Sequence, residues 1–173
     1  MGAEGEVFVF MGPPEAGKTT QAKRLSDRIG GAWIWDKDIM SQIEDPDRLW
    51  EALETVMSRV PMAKPIVLDG VVNRKTDASE LALALVRTGR QIVRVICLHI
   101  YEEESLQRIT RRISRPGLMA TQKARWKAYR VYTIPALEIF RGGRLLSVVM
   151  AEGTEDEVEA RISAALNGPA DQI

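Results

Sequence analysis

Eight residues near the start of the chain have the types and spacing that bind phosphate. The stretch GPPEAGKT, residues 12–19, satisfies G-x-x-x-x-G-K-[ST], follows an apolar run and precedes a helical pattern. Its glycines permit positive φ and close backbone approach, so amide N–H groups can point at phosphate oxygens, aided by the helix dipole. The expected nucleotide-binding residues are Gly12, Pro13, Pro14, Glu15, Ala16, Gly17, Lys18, Thr19 and Thr20.

Three side chains have the chemistry to hold the reacting end of a nucleoside triphosphate and its metal ion. Lys18 can reach the β- and γ-phosphates, and the Thr19 hydroxyl can ligate Mg²⁺. Asp69 ends the apolar run PIVLD, and its carboxylate can hold Mg²⁺ opposite the threonine. We therefore expect ATP and Mg²⁺ as cofactors, with Thr19 and Asp69 as the metal ligands. The alternative for Asp69 is an Asp that begins a turn before Gly70.

A second group of candidates is a cluster of arginines at about residues 108–125. Phosphoryl transfer spreads negative charge over several oxygens, and the planar, permanently charged guanidinium group suits that charge. The cluster surrounds a Pro-Gly turn, so we expect a short lid that closes over the phosphates, the alternative being a solvated basic face. Its arginines are Arg108, Arg111, Arg112, Arg115 and Arg125.

Composition limits the class of protein and its partners. The 173 residues suit a single domain, and 24 Lys and Arg balance 24 Asp and Glu. No overall positive field would attract nucleic acid or an anionic membrane, which disfavours both as partners. The only cysteine, Cys97, excludes a disulfide framework and a Cys-based metal site within one chain. With no secretory signal and no apolar run near ~18 residues, we expect a cytoplasmic monomer.

The elements that position these residues follow from the hydrophobic pattern. Short apolar runs alternate with longer helical patterns, which is typical of an α/β protein with a mainly parallel sheet. Helix starts are predicted at Asp45-Pro46 and at Thr154, where Glu157 completes a capping box. We predict one domain over residues 1–173. Its strands are expected at 6–11, 32–36, 65–70, 91–100 and 144–150.

Several motifs, in the same order along the chain, resemble adenylate kinases and related nucleoside monophosphate kinases. GPPEAGKTTQAKRL resembles the family's phosphate-binding loop, and IVLDGVVNR resembles its Asp-Gly-Phe-Pro-Arg segment, with Arg74 one residue late. LQRITRR resembles the start of the lid, ARWKAYRVYTIPALEIF the segment after it, and VVMAEGTEDEV the final strand and adenine loop. The resemblance covers about residues 6 to 166.

This resemblance implies a fold, an activity and residue roles. The fold is that of P-loop NTPases, a three-layer sandwich whose five-stranded parallel sheet lies between helices, with a short Arg-rich lid. The activity is ATP-dependent phosphotransfer, most naturally to a nucleoside monophosphate or a similar small acceptor. Arg108 would stack on adenine, Arg112 and Arg125 would contact phosphates, and Arg74 would hold the acceptor. With Lys18, the arginines at 74, 112 and 125 are the catalytic residues this implies.

The acceptor region, about residues 36–64, departs from the adenylate kinase pattern. Where the family has Ser/Thr-Gly-Asp and then an Arg, this chain has WDKDIMS, with Asp36 near the expected Thr. The Asp-x-Asp resembles shikimate kinase and related small-molecule kinases. A carboxylate there could orient or deprotonate an acceptor hydroxyl, whereas it would repel a phosphate. Asp36 is therefore a further catalytic candidate, the alternative being that it ends a strand and Asp38 caps the next helix.

Two other functions stay open on the sequence alone. One is a kinase that uses Asp36 to phosphorylate a hydroxyl of a small metabolite, a nucleoside or a nucleic-acid end. The other is a nucleotide-binding switch without catalysis, which the arginine set disfavours because binding alone needs no transition-state clamp. Trp33, Trp35 and Trp50 could form a stacking wall in the acceptor region or pack in the core. Strand alternation predicts that Trp33 and Trp35 share one face.

Overall fold

The computed structural model describes residues 4–112 and 117–170. Part of the predicted lid lies outside the described residues, including Arg115. The backbone of Arg112 is described as the end of a helix, but its side chain is not.

A five-stranded sheet of parallel strands forms the centre of the protein. The strands are β1 (Glu6–Met11), β2 (Ala32–Trp35), β3 (Ile66–Asp69), β4 (Gln91–His99) and β5 (Leu146–Met150). Their order in the sheet is β2-β3-β1-β4-β5. The central strands are continuous apolar runs, as expected for strands covered on both faces. The predicted α/β fold with five parallel strands is confirmed.

Helices cover both faces of this sheet, as predicted. They are α1 (Lys18–Ile29), α2 (Asp36–Met40), α3 (Leu49–Arg59), α4 (Lys75–Thr88), α5 (Glu102–Arg112), α6 (Leu118–Ala128), α7 (Ile134–Gly142) and α8 (Glu155–Asn167). A short 3₁₀ turn (Pro46–Arg48) precedes α3, and a π-helical turn (Tyr129–Thr133) joins α6 to α7. Among the helices of residues 4–112 and 117–170, none is long and apolar enough to cross a membrane.

Alternate residues of β1 enter two separate apolar cores, one on each face of the sheet. Val7 and Val9 belong to the core beneath α3, α4 and α7, whereas Phe8 and Phe10 belong to the core beneath α1 and α8. Because the strands are parallel, the carboxyl ends of β1, β2 and β3 lie at one edge of the sheet. Ligands of open parallel sheets bind at that edge.

Local sequence signals account for several details of the fold. Asp45 Oδ1 accepts a hydrogen bond from Asp47 N at 3.0 Å, which caps the turn that leads into α3. Thr154 and Glu157 form the predicted capping box at the start of α8. The rings of Trp33 and Trp35 stack with centroids 5.7 Å apart, so the predicted shared face is confirmed.

Candidate active site

The phosphate-binding loop connects β1 to α1 in a conformation that depends on glycine. Gly12 has φ 141°, and a Cβ atom there would lie 2.3 Å from the Leu98 carbonyl oxygen, so no other residue fits beside β4. Gly17 has φ 85° and precedes the first helical residue, Lys18. Glu15 is also left-handed, with φ 61°, although it is not glycine.

The ammonium group of Lys18 is folded into this loop. Its Nζ donates to the carbonyl oxygens of Gly12, at 2.9 Å, and Pro13, at 2.8 Å. Burial lowers the pKa of Lys18 to about 8, although the Asp69 carboxylate opposes this shift. A phosphate group beside the ammonium would favour its charged form, so the loop is arranged to pair Lys18 with an anion.

Asp69 ends β3 as a buried carboxylate beside Thr19. It is 1% exposed, and its Oδ2 has no hydrogen-bond partner among the described residues. Burial raises the pKa of Asp69, against the lowering effects of the Thr19 hydroxyl and Lys18. A buried carboxylate oxygen without a partner is costly, which makes this atom a candidate ligand for a cation.

Asp36 lies beside Asp69, because β2 and β3 are neighbours and both end at this edge. Gly70 has φ 77°, and a Cβ atom there would lie 3.0 Å from Asp36 Oδ1, so this glycine lets the carboxylate approach the loop after β3. Burial raises the pKa of Asp36; the Lys37 amide, which donates to Oδ1 at 2.8 Å, opposes this, and the Asp69 charge adds to it.

These oxygen groups fit a Mg²⁺ ion. The Thr19 hydroxyl and the unpartnered Asp69 oxygen are the hard ligands that Mg²⁺ prefers, and Mg²⁺ keeps waters and phosphate oxygens in its remaining positions. Over residues 4–112 and 117–170, no three His, Cys, Asp or Glu side chains form a complete metal cluster. A site with so few protein ligands therefore suits a metal that arrives with a nucleotide.

A cavity of about 450 Å³, here called the phosphate cavity, brings most of the predicted site residues together. The loop supplies one wall of this cavity, the ends of β2 and β3 a second, and helices α5 and α6 a third. The candidate residues on it are Glu15, Gly17, Lys18, Thr19, Thr20, Asp36, Asp69, Arg108 and Arg125.

Arg108 of α5 bridges the two loops that would flank a bound nucleotide. Its Nη2 donates to the Ala151 carbonyl oxygen at 2.7 Å, and its Nη1 donates to the Glu15 carbonyl oxygen at 3.3 Å. Its Nε is 2.8 Å from Glu104 Oε1. A small cavity of about 110 Å³ lies beside Arg108, between Gly17 and the loop after β5. The guanidinium therefore lies where the phosphate cavity meets this small cavity.

Arg125 of α6 also lines the phosphate cavity. Its Nη1 lies 3.5 Å from Glu15 Oε1 and 3.2 Å from Gln122 Oε1. The side chain is about half exposed, with 51% of its surface accessible. Arg125 is thus held by two side-chain oxygens while it remains accessible to a ligand.

A buried hydrogen-bond network centred on Ser105 joins this part of α6 to the phosphate-binding loop. Ser105 Oγ donates to the Pro14 carbonyl oxygen at 2.9 Å and accepts from Gln122 Nε2 at 3.0 Å and Trp126 Nε1 at 2.8 Å. Ser105 is 0% exposed. The network fixes Gln122, and through it Arg125, relative to the loop.

A second cavity of about 300 Å³ adjoins the phosphate cavity. Lys18, Asn73 and Arg125 line both cavities and form their common wall. The second cavity continues between the loop after β3 and the π-helical turn, where Arg74 and Tyr132 lie. Asp36 lines only the phosphate cavity, so the structure assigns the two acceptor candidates Asp36 and Arg74 to different cavities.

The backbone at Arg74 is fixed from several sides. Asp77 Oδ2 accepts from the amides of both Asn73 and Arg74 at 2.8 Å. Asn73 Nδ2 donates to the Gly70 carbonyl oxygen at 2.7 Å, and Thr133 Oγ1 donates to the Asn73 carbonyl oxygen at 3.0 Å. The Asn73 side chain therefore folds into its own loop, whereas the next side chain, Arg74, lines the second cavity.

Known proteins similar to this chain share its length and its fold. An adenylate kinase of Thermus thermophilus is 32% identical over 181 residues, covering 94% of this chain and 97% of the relative. The chain belongs to the adenylate kinase family. The adenylate kinases of Clavibacter michiganensis subsp. michiganensis and Stenotrophomonas maltophilia (strain R551-3), at 31% and 27% identity, cover 93% of it. The predicted class, an ATP-dependent P-loop kinase, is confirmed by this membership.

A solved gluconokinase from Sinorhizobium meliloti 1021 superimposes with a TM-score of 0.67 over 96% of this chain and 94% of its own, at 16% identity. This likeness supports the P-loop NTPase fold. No protein-family model matches the chain.

Two polar residues of this adenylate kinase family member were missed by the sequence reasoning. Ser105 and Gln122 carry no motif, and their hydrogen bonds link segments 17 to 91 positions apart. The one available signal was the spacing of Gln122, Arg125 and Trp126, which places them on one face of a helix. Arg112, in contrast, was predicted, but its side chain lies outside the described residues.

Proposed function

We propose that this kinase transfers the γ-phosphate of ATP to a nucleoside monophosphate bound in the second cavity. The observation that carries the proposal is the common wall of Lys18, Asn73 and Arg125 between the two cavities. An acceptor phosphate beside Arg74 and Arg125 would meet two guanidinium groups, which bind phosphate oxygens in pairs. Across the wall, that phosphate would lie next to the transferred group, and such proximity is a large part of phosphoryl-transfer catalysis.

In this proposal ATP occupies the phosphate cavity. Amides of the loop from Gly12 to Thr20 bind the phosphates, and Lys18 neutralises the charge that moves during transfer. Arg108 packs on the base side, while Arg125 and Arg112 contact the phosphates. Mg²⁺, held by Thr19 and Asp69, would screen the β- and γ-phosphates when bound. We further propose one domain over residues 1–173 that works as a cytoplasmic monomer, with neither nucleic acid nor membrane as partner.

A hydroxyl acceptor is the second candidate, because of the position of Asp36. Its carboxylate lines the phosphate cavity, and burial raises its pKa. A carboxylate with a raised pKa at the site of transfer can accept a proton from an attacking hydroxyl. A phosphate acceptor has no proton to give at neutral pH and needs no such base. Asp36 is therefore required if the acceptor is a hydroxyl and dispensable if the acceptor is a nucleoside monophosphate.

The test is an incubation of the protein with γ-labelled ATP and Mg²⁺ against two acceptor panels. One panel contains ribo- and deoxynucleoside monophosphates, and the other contains nucleosides and small polyhydroxy acids. We expect a labelled diphosphate from the first panel. Arg74→Gln should raise the KM for that acceptor about tenfold or more, the value of one charged hydrogen-bonded contact. Arg87→Gln, on the exposed surface of α4 and paired with Glu54, is the matched control.

Asp36→Asn separates the two candidates. If the acceptor is a nucleoside monophosphate, the variant keeps its transfer activity, because no base is needed. A labelled product from the second panel only, abolished in Asp36→Asn while ATP binding persists, would establish the hydroxyl acceptor instead. ATP binding without a labelled product from either panel would favour the nucleotide-binding switch.

A further inference from the structure

Glu15 combines an unfavourable backbone conformation with a buried charge. Its φ of 61° lies in the left-handed region, and its side chain is only 9% exposed. Its carboxylate lies 3.5 Å from the Arg125 guanidinium. We propose that Glu15 holds Arg125 in the phosphate cavity of the nucleotide-free enzyme. When a nucleotide binds, the Arg125 guanidinium exchanges its contact with the Glu15 carboxylate for a contact with the phosphates.

The backbone of Glu15 points to a role for its side chain. Left-handed φ angles are natural for glycine and tolerated by Asn and Asp, but they are disfavoured for a long side chain such as Glu. Such conformations persist where the surroundings compensate, and they concentrate at functional sites. At this position the compensation is visible, because Arg108 donates to the Glu15 carbonyl oxygen and Arg125 contacts its carboxylate. Two arginines from different helices thus converge on one residue of the loop.

The contacts of Arg125 show how the Glu15 carboxylate helps to position its guanidinium group. Gln122 Oε1 is the other acceptor, and Gln122 is itself fixed by Ser105. An exposed arginine without such partners samples many rotamers, and ordering it costs conformational entropy on binding. With Glu15 and Gln122 in contact, the guanidinium already lies at the cavity that the nucleotide enters.

The charges around Glu15 make the exchange possible. Its carboxylate balances positive charge from Arg125 and Lys18, both of which line the phosphate cavity. A nucleotide brings several negative charges to this cavity, and they compete with the carboxylate for the same guanidinium. Nucleotide binding must therefore break or weaken the contact between Glu15 and Arg125. The inference rests on the role proposed above for Arg125 as a phosphate contact.

The test is a double-mutant cycle on nucleotide binding. The dissociation constant of the imido analogue of ATP, with Mg²⁺, is measured by calorimetry for the wild type, Glu15→Gln, Arg125→Gln and the double variant. We expect Glu15→Gln to tighten binding about two- to fivefold, the range of a partly exposed ion pair, because Gln122 still orders the guanidinium while the competing charge is removed. In the Arg125→Gln background the same substitution should change the constant less, because the contact between residues 15 and 125 is already removed. The KM for ATP should fall in Glu15→Gln in parallel.

Three results would overturn the proposal. One is equal or weaker binding in Glu15→Gln when Arg125 is present. Another is the same gain in both backgrounds, which would indicate simple charge repulsion from the phosphates. The third is wild-type affinity in Arg125→Gln, which would remove the proposed role of Arg125 and with it the exchange; the first two results leave that role intact.

Glu15→Gly is the control for backbone strain. It should raise the thermal midpoint by about 2–4 °C, since glycine relieves the left-handed conformation. Glu15→Gln keeps that conformation and should lower the midpoint by no more than about 2–4 °C, because a partly exposed ion pair contributes at most about 1 kcal/mol. A midpoint measurement on each variant therefore separates the effect of the backbone from the effect of the charge.

Discussion

The guanidinium group of Arg74 lies over the ring of Tyr132, with its carbon 5.3 Å from the ring centroid. This distance is typical of a cation–π contact. Arg74 stands one position later than the arginine of the family pattern, and Asn73, in the family position, is tied to its own loop. Tyr132 therefore directs the displaced arginine along the second cavity.

Replacing Tyr132 should weaken acceptor binding without affecting ATP. Tyr132→Leu removes a contact worth about 0.5–1 kcal/mol at an exposed site, so the acceptor KM should rise about two- to fivefold. Tyr132→Phe keeps the ring and should stay within about twofold of the wild type. Steady-state kinetics with each substrate varied in turn measures both. A rise in the KM for ATP of the same size would contradict this role.

Loss of the Ser105 hydroxyl should destabilise the protein. In Ser105→Ala the buried N–H groups of Trp126 and Gln122 lose their acceptor, and each unsatisfied group costs about 1–3 kcal/mol. We expect the free energy of unfolding in urea to fall by about 2–6 kcal/mol, the sum for the two groups. Ser41→Ala removes an exposed hydroxyl that donates to the Asp38 carbonyl oxygen and should change stability by about 0.5 kcal/mol or less. Equal stability of the two variants would rule out a structural role for the network.

ATP binding should be weakened even by a substitution of Arg108 that keeps its charge. Arg108→Lys retains one positive group but cannot donate to Ala151, Glu15 and Glu104 together, because lysine lacks the planar fork. We expect ATP to bind about tenfold more weakly, the loss of one charged hydrogen bond. Arg24→Lys, at the ion pair between α1 and α8, is the matched control. Unchanged affinity in Arg108→Lys would indicate that charge alone matters at this position.

The start of α8 should contribute a pH-dependent part of the stability. The Thr154 amide, and then its hydroxyl, lower the pKa of Glu157 below the ordinary 4.5. Because the folded-state pKa is below the unfolded value, this contribution is complete above about pH 4.5 and is lost as the pH falls through the folded-state value.

The thermal midpoint of Glu157→Gln should therefore fall below that of the wild type at pH 7, and the difference should shrink by pH 3. Glu152→Gln, in the loop before the helix, takes no part in the capping box and serves as control. A difference that stays constant from pH 7 to pH 3 would show that the charge of Glu157 is irrelevant to the cap.

The parts of the structure that follow local rules could be predicted from the sequence. The five strands, the loop from Gly12 to Thr19 and the cap at Thr154 depend on spacing over a few residues, and all three were found where they were expected. The position of Asp69 beside Thr19 follows from parallel strands ending at one edge.

The contacts that arrange the site could not be predicted in this way. Arg108 donates to Ala151, 43 positions away, and Ser105 donates to Pro14, 91 positions away. Such partners are brought together by the packing of α5 and α6 on the sheet, which no local pattern encodes. The separation of Asp36 and Arg74 into two cavities likewise depends on a side chain, Asn73, that turns back into its own loop.

The π-helical turn between α6 and α7 lets one continuous helical segment contribute side chains to the cores on both faces of the sheet. Buried residues recur every three or four positions from Gln122 to Phe140, as if along a single stripe. Yet Trp126 belongs to the core beneath α1 and α8, while Leu137 and Phe140 belong to the core beneath α3 and α4. The extra residue of a π turn shifts the helical phase by about 100°. If the turn became α-helical with all its residues retained, one half of the segment would rotate out of its core, so the two cores are coupled in phase through this turn.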